Sequence, residues 1–202
     1  MKIMAQKTIT SQPLPAMGVR WLLAGICVLF AGLRGASAET PSSKEYQVKA
    51  ACLLNFVQYI EWPAAAFPQT STPITIGVLG EDPFGDILER TFQDESVQGR
   101  ALVVKRSRQV EDLKDCHVLF VSKSEKNQLG EILASLRGAS TVSVGDMDEF
   151  AQRGGIINFY IDSGKIRFEI NPTAAQPRGI KIGAQLLKRA RIVGADPRKG
   201  NS

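Results

Sequence analysis

The feature that most constrains the fold of this chain is an alternation of short apolar segments with segments of helical periodicity. Residues 117–121 are apolar after their first position, which is typical of a strand covered on both faces of a sheet. β-branched segments at residues 74–79, 101–104 and 141–144 predict three further strands. Strands of this kind, joined by helices, favour a parallel sheet.

Helical patterns occupy the connections between these strands. Residues 84–92 and 129–136 repeat apolar side chains at helical spacing, and Asp82 is a suitable N-cap for the first of the two. A longer helix is predicted over residues 44–61, and a final one over residues 182–193.

The pattern changes in the second half of the chain. Residues 156–161 and 165–170 read as strands, and the Asp-Ser-Gly sequence at residues 162–164 has the composition of a tight turn. This predicts an antiparallel hairpin. The fold class expected is therefore α/β: a three-layer sandwich with a mostly parallel sheet that ends in an antiparallel hairpin. Residues 39–202 are expected to form a single domain.

Residues 1–38 have the layout of a secretory signal peptide. Scattered positive charge precedes an apolar run of 13 residues, 21–33, and Ala36-Ser37-Ala38 has the small-residue pattern of a cleavage site. The run is shorter than the roughly 20 residues that span a membrane. We therefore expect cleavage after Ala38 and export to the periplasm, with an uncleaved anchor as the alternative.

The charge of the chain changes when this segment is set aside. The formal net charge is +5, but the first 38 residues hold four basic residues and no acid, which leaves 21 basic and 20 acidic residues. A nearly neutral mature chain does not predict nucleic-acid binding.

Sequence motifs for catalysis and metal binding are missing. The one histidine, His117, begins a predicted apolar strand and has no Ser or Cys partner at recognisable spacing, so a structural role is predicted. The sequence has no His-x-x-x-His pair, no Cys-x-x-Cys pair and no calcium-loop spacing, so neither a metal nor a cofactor is expected. These observations favour a binding module over an enzyme.

Two groups of residues leave alternatives open. Asp146, Asp148 and Glu149 follow a predicted strand, where α/β sheets often bind ligands, but caps and solvated loops use the same residues. Cys52 and Cys116 remain after cleavage, and an oxidising compartment permits a disulfide between them. Buried free thiols are common in such apolar patterns, which favours the unbridged state.

The first predicted helix carries more apolar surface than packing on one side requires. Its polar residues form only a thin stripe, composed of Gln47, Asn55, Gln58 and Glu61. The helix is therefore expected either to lie between two layers or to form part of an interface with a partner.

An ordered set of motifs resembles the YfiR-like periplasmic family. The set consists of EYQVKAA at residues 45–51, NF at 55–56, EWP at 61–63, IGVLG at 76–80, DPFG at 82–85, CHVLF at 116–120, GGII at 154–157 with Phe159, and RFEIN at 167–171. The match extends over residues 45–193, which is nearly the whole mature chain.

The resemblance implies an α/β sandwich that dimerises and acts as a periplasmic repressor, binding the sensor portion of an inner-membrane diguanylate cyclase. Holding the cyclase inactive would lower cyclic di-GMP and biofilm formation, and redox state or envelope stress would release it. Cys116 matches a family cysteine, but Gly77 stands where its partner is expected. This argues against redox control through that bridge.

The same resemblance suggests site residues. Glu61, Glu169 and Lys181 are candidates for a small ligand pocket, with a structural ion pair between the last strand and the last helix as the alternative. The candidate partner-binding residues are predicted instead from apolar surface of the first helix and the C-terminal segment, and they are Leu54, Phe56, Tyr59, Trp62, Phe168 and Ile170. A place in the core is the alternative for each of them, and it is the favoured one for Phe56 and Phe168.

The function predicted is a non-enzymatic regulator whose partner is an inner-membrane diguanylate cyclase or another sensor protein. The alternative is a periplasmic small-molecule-binding receptor that serves a sensor kinase or a transport system. A secreted hydrolase would need a nucleophile with an oriented base, for which a single histidine offers little.

Overall fold

The computed structural model describes residues 41–194, with side chains from residue 43 onward. The predicted signal peptide at residues 1–38 and its cleavage site lie outside the described residues. Within residues 41–194, no helix combines the length and the apolar character needed to cross a membrane.

The secondary structure alternates strands and helices as the sequence predicts. The strands are β1 (Ile60–Glu61), β2 (Ile74–Leu79), β3 (Ser96–Val97), β4 (Arg100–Ser107), β5 (Val118–Val121), β6 (Val142–Gly145), β7 (Ile157–Asp162), β8 (Lys165–Ile170), β9 (Lys181–Ile182) and β10 (Arg191–Ile192). The α-helices are α1 (Pro41–Gln58), α2 (Ile87–Phe92), α3 (Leu129–Ser135), α4 (Pro172–Ala175) and α5 (Ala184–Leu187). Short 3₁₀ helices cover Ala64–Ala66, Val110–Leu113, Lys123–Gln128 and Gln176–Arg178.

The main sheet is mostly parallel and contains the predicted hairpin. Its strand order is β10-β8-β7-β6-β5-β2-β4-β3. The pairs from β4 through β2, β5 and β6 to β7 are parallel, as is β8 with β10. β7 and β8 pair antiparallel through the two-residue turn Ser163-Gly164, where both residues have positive φ. The predicted fold class is confirmed.

Both faces of the sheet are covered, which produces three layers. Along β5, Val118 and Phe120 pack into one apolar cluster, and Leu119 and Val121 pack into another, because successive strand side chains point to opposite faces. We call the cluster that includes residues of α1 and α2 the first core, and the cluster that includes residues of α3 the second core.

The C-terminal segment differs from the prediction. Instead of one helix over residues 182–193, the chain forms β9, the single turn α5 and the edge strand β10. β9 pairs with β1, which occupies the last predicted turn of the first helix, so that α1 ends at Gln58. Backbone pairing between two distant segments has overridden helical periodicity in both of them.

The entry to α2 also differs from the prediction. Asp82 caps no helix: its Oδ1 accepts a hydrogen bond from the Phe84 backbone N–H at 2.8 Å, and α2 begins only at Ile87. Arg106 of β4 holds the other Asp82 oxygen at 2.6 Å, so this carboxylate joins a loop to the sheet.

The disulfide left open by the sequence is not formed. Cys52 and Cys116 are both free thiols. Cys52 packs against the first core and Cys116 belongs to the second core, so the two thiols lie on opposite faces of the sheet. A bridge between them is therefore wrong for this fold.

Candidate functional site

A small groove between α1, β8 and α5 gathers three of the six residues predicted to bind a partner. Phe56, Tyr59 and Phe168 line this cavity of about 140 Å³. Its complete lining consists of Cys52, Asn55, Phe56, Tyr59, Phe168, Gln185, Leu186 and Arg189. We call this cavity the aromatic groove.

The floor and the walls of the aromatic groove have different exposures. Phe56 is fully buried and packs edge-to-face on Phe168, with 5.0 Å between ring centroids. Tyr59 and Phe168 are half-buried. Phe56 therefore belongs to the core, as expected, while Tyr59 and Phe168 present aromatic surface within a rim that includes Arg189.

The other three candidates lie elsewhere. Ile170 is completely buried in the first core, and Leu54 is half-buried against it. Trp62 packs edge-to-face on His117 and donates its Nε1–H to the His117 carbonyl oxygen at 3.2 Å. The structure thus places Ile170 in the core and gives Trp62 a structural contact.

His117 has the structural role that the sequence predicted. Its Nδ1 accepts a hydrogen bond from the Thr75 backbone N–H at 3.1 Å, and its Nε2 lies 3.0 Å from the carbonyl oxygen of Ala66. This pattern requires a neutral ring protonated at Nε2. Burial lowers the pKa of His117, which is consistent with a neutral ring.

The three residues proposed for a ligand pocket do not converge. Glu61 and Lys181 are directly opposite each other in the β1–β9 pair. Glu169 is 1% exposed, accepts from Asn158 Nδ2 at 3.1 Å and forms its ion pair with Arg191 of β10. The structural ion pair therefore exists, but its cation is Arg191 and it joins two strands.

A second cavity, of about 490 Å³, lies where β5 and β6 end, and the sequence reasoning did not find most of its polar residues. Asp146, the first residue after β6, has a side chain that is 2% exposed. Its Oδ2 accepts from Lys49 Nζ at 2.6 Å and from the Tyr46 hydroxyl at 2.8 Å. We call this cavity the charged cavity.

Lys49 completes a buried network beside the charged cavity. Its side chain is 3% exposed, and its Nζ also donates to Glu45 Oε1 at 2.5 Å. The Nζ lies 4.3 Å from the centroid of the Tyr46 ring, which adds a cation–π contact. Burial, and next the charge of Asp146, raise the pKa of Tyr46, so the hydroxyl keeps its proton and remains a donor.

One signal in the sequence could have revealed this network. Glu45 and Lys49 are one helical turn apart on a helix that is otherwise mostly apolar, and charged residues on a covered helix face need partners. The acidic group after β6 was noted in the sequence. Its contact with α1, which is nearly a hundred residues away, could not be predicted from the sequence.

No cluster of three or more metal-ligating side chains occurs among the described residues. Burial raises the pKa of Cys116 to about 11, and burial likewise raises the pKa of Cys52. Both thiols therefore remain protonated at neutral pH, which disfavours metal binding and nucleophilic chemistry by either one.

Known proteins similar to this chain agree with the fold. The family model described as YfiR/HmsC-like (DUF4154) matches residues 46–191. A crystal structure of a conserved domain protein from Vibrio cholerae O1 biovar El Tor has 15% identity and a TM-score of 0.50, with 73% of this chain and 59% of that chain covered.

A second solved structure, an ABC domain from Streptococcus pneumoniae in complex with L-Trp, has 14% identity and a TM-score of 0.46. That likeness covers 69% of this chain and 60% of the other. The chain thus spans about three fifths of the length of both solved structures. No protein of curated function matches significantly.

Proposed function

The chain belongs to the YfiR/HmsC-like family, and from this premise we propose that it is exported to the periplasm and represses an inner-membrane diguanylate cyclase by binding the sensor domain of that enzyme. The family is regulatory, and membership indicates a periplasmic regulator of cyclic di-GMP signalling. To this family-level role we add two statements: the chain binds the cyclase directly, and this binding represses it.

The aromatic groove is the observation that supports a protein-binding role. Its walls, Tyr59 and Phe168, are aromatic side chains left half-buried by the fold, and Arg189 lies at the rim. Interfaces concentrate binding energy in such aromatic and arginine residues within a polar rim. A protruding apolar side chain of the sensor domain would occupy a cavity of this size.

Repression requires more than binding. A bound protein shifts the equilibrium of its partner only by the difference between its affinities for the two states. Tenfold tighter binding to the inactive sensor corresponds to about 1.4 kcal/mol. We therefore expect the aromatic groove to contact a surface that the sensor domain exposes only in its inactive state.

Crosslinking followed by affinity capture from native membranes tests the partner. We expect tagged mature protein to capture an inner-membrane protein with a cytoplasmic diguanylate cyclase domain. Capture of a sensor kinase or a transport protein instead would contradict the proposal and favour the receptor alternative.

Variants of the aromatic groove test the surface. Tyr59→Ala and Phe168→Ala should each weaken binding to the captured sensor domain by about tenfold or more, as loss of a central aromatic contact does, and should raise cellular cyclic di-GMP. Val103→Ser is the matched control, because Val103 is a 41% exposed apolar residue on β4, outside the groove. Unchanged affinity of both folded groove variants would exclude this surface.

A further inference from the structure

The outer edge of the main sheet is largely unpaired within the described part of the chain. β4 is the longest strand there, with eight residues, but β3 pairs only with Arg100 and Ala101. β3 is folded back onto β4 by the tight turn Gln98-Gly99, where both residues have positive φ. Over residues 102–107, β4 therefore has a neighbouring strand on one side only. We call this stretch the open edge.

The backbone groups that face outward from the open edge are those of Val104 and Arg106. The Ser107 carbonyl oxygen points toward β2, since it accepts from the Gly80 backbone N–H at 3.0 Å. The N–H and C=O of one strand residue point the same way, and the direction alternates along the strand. Lys105 thus bonds toward β2, whereas Val104 and Arg106 point away from it. Outward groups of this kind are a template for a further strand.

A groove of about 720 Å³ lies beside the open edge. Glu89 and Phe92 line it from α2, and Leu102 and Val104 line it from β4. We call it the edge groove. Because alternate side chains of a strand point to the same face, every second side chain of a strand added to β4 would enter this groove.

The two ends of the open edge carry opposite charge. Asp94 and Glu95 precede β3 and line the edge groove; both are exposed, and neither forms an ion pair with a described residue. Lys105 and Arg108, at the other end, are also exposed and have no ion pair within residues 41–194. The charge of Arg106 is already matched by ion pairs with acidic residues on the α2 side. We call these two ends the acidic end and the basic end.

We propose that the open edge binds an extended segment of another protein as an added antiparallel strand. Main-chain hydrogen bonds to Val104 and Arg106 hold the segment, as in other cases of strand addition. A basic residue of the segment lies at the acidic end, an acidic residue lies at the basic end, and an apolar side chain between them enters the edge groove. This inference goes beyond the proposed function and does not depend on it, because the aromatic groove lies on α1, β8 and α5.

A second copy of this chain fits the open edge less well. Where β3 leaves room, antiparallel pairing of β4 with its own copy sets Lys105 directly opposite or diagonal to the same lysine of the copy. Like charges at such positions destabilise a strand pair, and lysine on an edge strand is a common protection against self-association. A segment with an acidic residue opposite Lys105 removes this repulsion, which favours a different protein as the occupant.

Amide hydrogen exchange of the mature chain, resolved by NMR, tests the added strand. The probe is the peptide acetyl-Glu-Thr-Glu-Val-Thr-Arg-amide, which has the required order of charges for antiparallel addition. In the free chain, the amides of Val104 and Arg106 should exchange faster than that of Lys105, which bonds to β2. Saturating peptide should slow the exchange of Val104 and Arg106 by about tenfold. The same peptide N-methylated at its valine should not, because that N–H faces β4.

Three results would overturn the proposal. The first is unchanged exchange of Val104 and Arg106 at millimolar peptide, and the second is equal slowing by the N-methylated peptide. The third is protection of both amides in the free chain. Protection that rises with protein concentration would assign the open edge to a second copy, and protection independent of concentration would assign it to another segment of the same chain.

Variants test the order of charges. Glu95→Lys should weaken binding of the peptide about threefold to fivefold, which is the size of an exposed ion pair. Glu131→Lys is the matched control, because Glu131 is an equally exposed acid on α3, which packs in the second core. A peptide with its glutamates and arginine exchanged should bind Glu95→Lys better than it binds the original chain. Equal affinities of the original peptide for Glu95→Lys and Glu131→Lys would contradict the assigned ends.

Discussion

At the scale of single residues, Lys49 is the side chain on which the charged network depends. It is buried between Glu45 and Asp146, and removing one partner of a buried ion pair leaves an uncompensated charge. Lys49→Met keeps the aliphatic stem and should lower the free energy of unfolding by about 3–5 kcal/mol. Urea denaturation of the mature chain measures this loss.

Lys44→Met is the control for this prediction. Lys44 lies on the same helix but is exposed, so the same substitution there should change the free energy of unfolding by less than about 0.5 kcal/mol. A Lys49→Met protein as stable as the Lys44→Met protein would show that the buried carboxylates do not need their ammonium.

His117 gives the fold a dependence on pH whose sign follows from its hydrogen bonds. Burial, helped by the positive charge of Arg100, lowers the folded-state pKa of His117 below its ordinary 6.5. Protonation would also place a second N–H against the Thr75 donor. The stability contributed by the neutral ring is present above pH 6.5 and is lost as the pH falls toward and through the depressed pKa. Between pH 7.5 and 5.5, the free energy of unfolding should fall with decreasing pH, with a slope no steeper than about 1.4 kcal/mol per pH unit.

The chain offers a clean control because His117 is its one histidine. The free energy of unfolding of His117→Gln should stay constant between pH 7.5 and 5.5, since carboxylates titrate near pH 4. Denaturation curves at several pH values measure both proteins. The same slope in the variant would assign the dependence to other groups.

At the scale of elements, the pairing of β1 with β9 requires a glycine at position 183. Gly183 donates its backbone N–H to the Tyr59 carbonyl oxygen at 2.8 Å, and a Cβ there would lie 2.9 Å from the same oxygen. Its φ of −61° is ordinary, so only space excludes a larger residue. Gly183→Ala should therefore destabilise the protein by about 1–3 kcal/mol.

Gly130 provides the matched substitution. It lies in α3, and a Cβ at this position would meet no atom within 4 Å. Gly130→Ala should raise the free energy of unfolding by about 0.5–1 kcal/mol, since alanine restricts the unfolded chain and favours helix. The thermal midpoint and the free energy of unfolding from urea denaturation should fall for Gly183→Ala and rise for Gly130→Ala. A change of the same sign in both variants would contradict the packing argument at Gly183.

The elements that the sequence predicted well are those whose side-chain pattern alone determines them. The apolar strand at residues 117–121 and the Ser163-Gly164 turn are local signals, and both appear in the fold at those positions. The final helix over residues 182–193 was wrong because its ends are held by distant partners. Lys181 lies opposite Glu61, and Arg191 pairs with Glu169. Such pairings leave no periodic signal in the sequence.

The candidate sites were likewise predictable only where the signal is local in the sequence. The three aromatic residues of the aromatic groove, Phe56, Tyr59 and Phe168, could be chosen from the helix predicted over residues 44–61 and from the strand predicted over residues 165–170, because apolar surface in excess of what packing requires is visible in a sequence. The charged cavity was not predicted as a unit, since Lys49 and Asp146 meet only when α1 lies across the ends of β5 and β6. A charged residue on a helix face that is predicted to be buried indicates that a partner is needed, but it does not indicate which residue supplies that partner.

At the scale of the whole molecule, the two free thiols lie on opposite faces of the sheet. The distance between faces is set by the layers themselves, so no local movement would join Cys52 to Cys116. The thermal midpoint of the mature protein should therefore be the same with and without a reductant. A lower midpoint under reducing conditions would contradict the unbridged state.

The fold nevertheless retains the place where a related bridge would form. A Cβ built at Gly77 would lie 3.4 Å from the Cβ and 3.0 Å from the Sγ of Cys116, close to the spacing of about 3.5–4.5 Å that a disulfide needs. Under oxidising conditions, Gly77→Cys should therefore form a disulfide with Cys116 and join β2 to the segment that leads into β5. We expect a gain of about 2–4 kcal/mol over its own reduced form.

Gly77→Ser is the control for this last prediction, because its side chain is of similar size but forms no bridge. Both side chains crowd Leu119 Cδ1, which would lie 2.9 Å from the new Cβ, so both reduced proteins should be less stable than the original. Titration of free thiols after oxidation should find one in the Gly77→Cys protein. Three free thiols would show that the two strands cannot be bridged, whereas one would show that a single residue separates a redox-sensitive form of this fold from an insensitive one.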